Sequence, residues 1–203
     1  MTDEGRVTAA LRDLDERLDA AGFEGVMDIQ VVGGYALQLH GVRSNLDEAT
    51  DIDYYGEALP LHYATLIEAV GVTHGLERLW FNIYVMSPDG DPIGDMEIAI
   101  GKLRFAPSAS LNDLRHFRVQ IADVDTLLRM KLIAIDTQAI ADIDRWDLAR
   151  PRDLDDVALI ASTTSIDVMK VIAEMGDDGL LLEPAAVRDR VRATLAPSAA
   201  RRG

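Results

Sequence analysis

The stretch from Val31 to Asp53, VVGGYALQLHGVRSNLDEATDID, leaves few folds open to the chain. It begins with an apolar run, Ile29-Gln30-Val31-Val32, that reads as a buried strand end. Gly33-Gly34 follow at once. Tyr35 to His40 then reads as a short helix closed by Gly41. A polar loop leads to Asp51-Ile52-Asp53, followed by Tyr54 and Tyr55. The predicted order is therefore strand, double glycine, helix, loop, acidic strand.

That order has a chemical meaning. Glycines between a strand and a helix let the backbone approach a bulky group closely. The N–H groups at a helix start favour an anion such as a phosphate. Asp51 and Asp53 are two apart, and on a strand such residues share a face. Two carboxylates on one face suit Mg²⁺, which takes one or two carboxylates together with substrate phosphates. A phosphate cradle beside a metal-binding pair is what phosphoryl or nucleotidyl transfer requires.

With these residues in this order, the chain resembles the nucleotidyltransferase superfamily, the DNA polymerase β-like fold. Gly33 and Gly34 match the glycines that open its short helix, and Asp51 and Asp53 match its Asp-x-Asp strand. Arg43 stands where many members carry an arginine ahead of the acidic strand. The resemblance implies an α+β fold, with a mixed β-sheet flanked by helices and a helical C-terminal part. It also implies a third carboxylate from a later strand, for which Asp95 and Glu97 are the candidates and Glu97, between apolar neighbours, is preferred.

The rest of the chain reads as support. Val7, Leu11, Leu14 and Leu18 predict an amphipathic helix over 6–20. Pro60 precedes a predicted helix, Leu61 to Val70, with Gly71 as its stop. Arg78 to Met86 and Ile93 to Ile100 predict a hairpin around the turn cluster 87–92. Lys102 to Ser110 reads as irregular, and His116 to Ala122 as a strand. Strand signals stop there, which places a boundary between a core over 1–122 and a helical part over 123–203. Helices are expected over 166–175 and 184–195, with a disordered tail from Ala196.

Composition narrows the partners. With 20 Lys+Arg against 35 Asp+Glu the net charge is −15, which opposes a broad phosphate-binding face and suits a cationic acceptor or partner. If RNA is the acceptor, contact is expected to be local, through Arg43, Lys102, Arg104, Arg115 and Arg118. There is no cysteine, the first residues lack the basic start of a signal peptide, and no apolar run reaches membrane-spanning length. A cytoplasmic protein with no membrane partner is the expectation.

A second constellation lies downstream. The predicted helix after Asp123 has apolar positions at Val124, Leu127, Leu128, Leu132 and Ile135, and Lys131 falls inside that stripe. An unpaired buried charge is costly, so Lys131 either snorkels at the edge or reaches nucleotide phosphates. Asp153 opens the next helix after Pro151, where the helix dipole favours a carboxylate. It also shares one face with Val157 and Ile160. Met130 to Ala134 followed by Arg152-Asp153-Leu154-Asp155-Asp156-Val157 resembles the C-terminal motifs of the AbiEii/MenT-type nucleotidyltransferases, which include toxins of toxin–antitoxin pairs. The resemblance implies that Lys131 contacts the triphosphate, with Asp153 catalytic or positioning the acceptor. It implies an NTP donor, Mg²⁺ held by Asp51, Asp53 and Glu97, nucleotide contacts from Gly33, Gly34, Arg43 and Lys131, and an acceptor hydroxyl on tRNA, protein or small molecule. A cognate antitoxin is a possible partner. Two alternatives stand beside it: an enzyme similar to those that modify aminoglycoside or lincosamide antibiotics, and a non-catalytic interaction protein on the same fold.

Overall fold

The computed structural model describes residues 5–43, 49–83, 103–141 and 151–199. They form an α+β protein in two compact units. One takes the described residues up to 83 together with Arg104–Asp123, and the other takes Leu103 and the residues from Val124 onward.

The first unit carries a mixed five-stranded sheet. Its strands are β1 (Met27–Val32), β2 (Ile52–Gly56), β3 (Phe81–Ile83), β4 (Phe105–Pro107) and β5 (Phe117–Ala122), in the order β3-β2-β1-β5-β4. Strand β1 runs antiparallel to β2 and parallel to β5. Strands β2 and β3 are parallel, joined through a 3-10 turn (Leu61–Tyr63) and helix α3 (Ala64–Thr73), since parallel neighbours need a crossover connection. Two further helices complete the unit, α1 (Arg6–Ala20) and α2 (Gly33–Leu39).

One sheet face is apolar: Met27, Ile29, Val31, Ile52, Tyr54, Phe81, Phe117, Val119 and Ile121 are all buried. The other carries Asp28, Gln30, Asp53, Asn82, Arg118 and Gln120, which the registers bring to common positions across the strands. Helix α1 buries Val7, Leu11, Leu14 and Leu18 as the spacing expects. It also buries Asp15, whose carboxylate accepts the backbone N–H groups of Arg115 (3.0 Å) and His116 (2.7 Å) at the entry to β5.

Glycine ends three helices here in the same way. Gly22, Gly41 and Gly75 have φ of 77°, 69° and 65°, and the residue after each donates to a carbonyl one turn back. Gly41 therefore closes α2 as its position suggests. Gly71 does not close α3, which runs on to Thr73 and stops at Gly75. Gly71 is instead where the Trp80 indole packs: a Cβ there would lie 2.6 Å from Trp80 Cδ1. Trp80 is fully buried, and its Nε1 donates to the Ile67 carbonyl at 2.9 Å.

Two local expectations are corrected. The segment read as irregular after Lys102 contains β4 and a 3-10 turn at Ala109–Leu111. A three-residue edge strand ending in Pro107 is too short to show alternation. Of the strand predicted from Arg78, only Phe81–Ile83 pairs within the described residues, and Arg78 and Leu79 lie in the preceding turn. The partner strand over 93–100, with Asp95 and Glu97, lies outside the described residues, as does Lys102.

The second unit is helical: α4 (Val124–Ala141), α5 (Pro151–Thr163), α6 (Val168–Asp177) and α7 (Pro184–Ala199). Leu127, Leu128, Leu132, Ile135, Val157, Ile160, Ile172, Met175, Val187 and Val191 are buried. Asp167 caps α6 by accepting from the Lys170 N–H at 3.1 Å. Asp136, buried on α4, accepts the N–H groups of Leu182 and Glu183 at 2.8 Å each, just ahead of α7. Helix α7 continues to Ala199, beyond the point where a disordered tail was expected. Among the described residues no helix is long and apolar enough to cross a membrane.

Candidate functional site

The site is built where β1 hands over to α2. Strand β1 ends at Val32, and Gly33 turns the chain with φ of 70° into the first turn of α2. The antiparallel register sets Asp53 of β2 opposite Val32, so its side chain rises beside that turn. A Cβ on Gly33 would lie 2.8 Å from Asp53 Oδ2. At Gly34 the neighbour is a cation: a Cβ there would lie 2.7 Å from a terminal nitrogen of Arg43. The two glycines thus seat a carboxylate and a guanidinium side by side on bare backbone.

Each group is placed by local structure. Arg43 lies just beyond the Gly41 turn that closes α2, and its N–H, like that of Val42, donates to the Leu37 carbonyl. Asp51 immediately precedes β2. Asp51 and Asp53 are half-buried while Ile52 between them is fully buried, the alternation of an extended segment. The Ala49 N–H donates to Gln38 Oε1 at 3.0 Å, tying the approach to Asp51 back to α2. From the other neighbour, β3, Asn82 stands in register with Asp53, and its Nδ2 donates to Asp53 Oδ1 at 3.2 Å. The core side of the same strand is dry, and burial pushes the Tyr54 hydroxyl up to about 12.

Gly33, Gly34, Arg43 and Asp53 are therefore brought together, with Asp51 two residues ahead of Asp53, just before the strand. Among the described residues no group of three or more His, Cys, Asp or Glu side chains is placed to hold a metal ion, and Glu97 lies outside those residues. Asn82 was not anticipated. Its only signal was that a strand adjoining an Asp-x-Asp strand must present some side chain beside it.

Lys131 and Asp153 belong to the second unit. Lys131 Nζ lies 2.7 Å from Asp153 Oδ1 and 2.9 Å from Asp156 Oδ2, with the two carboxylate side chains 5% and 1% exposed. The lysine is thus neither an unpaired charge nor a snorkelling one; it bridges α4 and α5. Burial works to lower its pKa, but the carboxylates of Asp156 and Asp153 outweigh that and hold it above the ordinary 10.5. Asp153 points inward with Val157 and Ile160, all buried. Asp156 carried a signal that went unused: it follows Asp153 by three, and i, i+3 residues share a helix face.

No family model, no curated protein and no solved structure matches the chain.

Proposed function

We propose that this protein is a Mg²⁺-dependent nucleotidyltransferase, with the mixed sheet serving as a polymerase β-like core and the whole resembling the AbiEii/MenT kind. It would transfer an NMP from NTP to an acceptor hydroxyl. One observation carries the reading: Asp53 and Arg43 lie over adjacent glycines at the start of a helix, with Asp51 two residues ahead of Asp53. A carboxylate for a cation and a guanidinium for a phosphate then lie over adjacent glycines at a helix start, where backbone N–H groups favour an anion, and a side chain at either glycine would crowd them.

The donor set fits Mg²⁺. Asp51 and Asp53 offer hard carboxylate oxygens, both are half-buried rather than sealed in, and Asp53 is oriented by an amide that leaves its charge intact. These two residues would hold the ion, which would offset the charge on the donor's phosphates. Arg43 would bind phosphate oxygens. One of the carboxylates would accept the proton of the attacking hydroxyl. The hydroxyl oxygen forms a bond to the α-phosphorus as the bond to the leaving oxygen breaks, and pyrophosphate departs. Lys131 enters this proposal as an ammonium already held by Asp153 and Asp156, so contact with a triphosphate requires a phosphate oxygen to replace a carboxylate.

A small cationic acceptor is favoured over a long RNA face. Arg115 is paired with Asp19 at 2.8 Å and Arg118 with Asp28 at 3.4 Å, so two of the arginines expected to meet RNA already have acidic neighbours. The test uses NTPs labelled at the α- or the γ-phosphate, offered with total RNA, with protein lysate or with aminoglycosides in separate tubes. The reading expects α-label on one acceptor class and γ-label on none. Transfer of γ-label would make the protein a kinase. An absence of label in every tube, together with no NTP binding, would favour the non-catalytic alternative.

A further inference from the structure

We propose that Asn82 is a positioning residue for Asp53, dividing the work of its two carboxylate oxygens. The inference rests on the reading of Asp51 and Asp53 as a metal-binding pair. Asn82 and Asp53 are register partners on parallel strands, and one hydrogen bond of 3.2 Å joins Asn82 Nδ2 to Asp53 Oδ1. An ionised carboxylate only accepts, so the amide nitrogen must be the donor. Oδ2 is left as the oxygen that overhangs Gly33, where a Cβ would meet it at 2.8 Å. One oxygen is thus anchored to the sheet and the other is presented over the double glycine.

The residue type matters as much as the bond. An amide donor fixes the rotation of the carboxylate without adding charge. A lysine or arginine in its place would pair with Asp53 and cancel the charge that attracts a cation. Asparagine is also depleted in strands, and β3 is only three residues long, so Asn82 needs a reason for being there. Holding the strands together is not that reason, because the backbone register Ile52↔Phe81 and Tyr54↔Ile83 already joins them. Supporting partners that orient metal ligands typically change metal affinity by about 10- to 100-fold when removed.

Mn²⁺ alone, titrated into the full chain and followed by the electron paramagnetic resonance of the free ion, tests this without any turnover. The variants are Asp53→Asn, Asn82→Ala and Asn82→Leu, each also melted in EDTA. The expected result is Mn²⁺ binding that Asp53→Asn abolishes and that Asn82→Ala weakens about tenfold, with melting in EDTA unchanged. Asn82→Leu, which keeps nearly the size but has no donor for Asp53 Oδ1, is expected to weaken binding as Asn82→Ala does, and it decides the matter should Asn82→Ala fail to fold. If wild type and Asp53→Asn bind Mn²⁺ alike, the metal-pair reading falls and this inference with it. If binding depends on Asp53 while both Asn82 variants match wild type, the inference alone is overturned.

Discussion

Gly33 and Gly34 are the residues whose replacement separates room from backbone. Gly33 has φ of 70°, so Gly33→Ala forces an L side chain into the left-handed region at a cost of about 1–2 kcal/mol and pushes on Asp53 as well. Gly34 is free of that strain. Gly34→Ala is expected to leave urea-unfolding stability within about 0.5 kcal/mol of wild type, because Ala suits a helix and the Arg43 tip can swing aside. NTP binding by calorimetry is expected to fall, since that swing removes the guanidinium from its seat. Equal NTP affinity in Gly34→Ala and wild type would show that Arg43 does not act from there. The double glycine was legible as a need for space; what fills that space was not. A missing side chain does not say whether a ligand or the chain's own charges will occupy the gap.

At the scale of elements, Lys131 bridges α4 and α5. Lys131→Met removes the ammonium that lies between the buried carboxylates of Asp153 and Asp156, a loss expected to cost about 3–5 kcal/mol in urea unfolding. Adding Asp153→Asn and Asp156→Asn to that variant is expected to restore much of the loss, because a neutral cluster needs no cation. Stability unchanged by Lys131→Met would contradict the ion-pair account. Asp136→Ala is a second, independent case. It strips two N–H groups ahead of α7 of their acceptor and is expected to cost about 1–2 kcal/mol. The sequence showed the apolar stripes of these helices clearly, since Leu127, Leu132 and Ile135 repeat at helical spacing. It showed Lys131 as an intruder in that stripe, because its partners come from another helix and no local period reveals them. The end of α3 was misplaced for a similar reason: Gly71 looks like a helix stop until the distant Trp80 is seen packed on it.

For the whole molecule, Tyr54 and Lys131 tie stability to alkaline pH. Tyr54 is raised from 10.0 to about 12 by burial, and Lys131 is held above 10.5 because Asp156 and Asp153 outweigh its burial. Both shifts are upward, so the folded chain keeps these protons more tightly than the unfolded chain does. Their stabilising effect is fully present below the ordinary values of 10.0 and 10.5 and is lost as pH rises through the folded ones. Urea-unfolding stability is therefore expected to decline from about pH 10 upward, and Tyr54→Phe is expected to flatten part of that decline. A net charge of −15 adds repulsion that salt screens, so a decline that vanished entirely in high salt would assign it to surface charge and not to these groups.

The central claim is that Asp51 and Asp53 serve metal-dependent nucleotidyl transfer, and Asp53→Asn tests it most directly. The variant keeps size and shape at a half-buried position. Transfer of α-labelled NMP to acceptor is measured in Mg²⁺, alongside thermal melting of the same preparation. The account predicts transfer in wild type, loss of transfer in Asp53→Asn by at least about 100-fold, and melting temperatures that agree. Transfer by Asp53→Asn at the wild-type rate would contradict it.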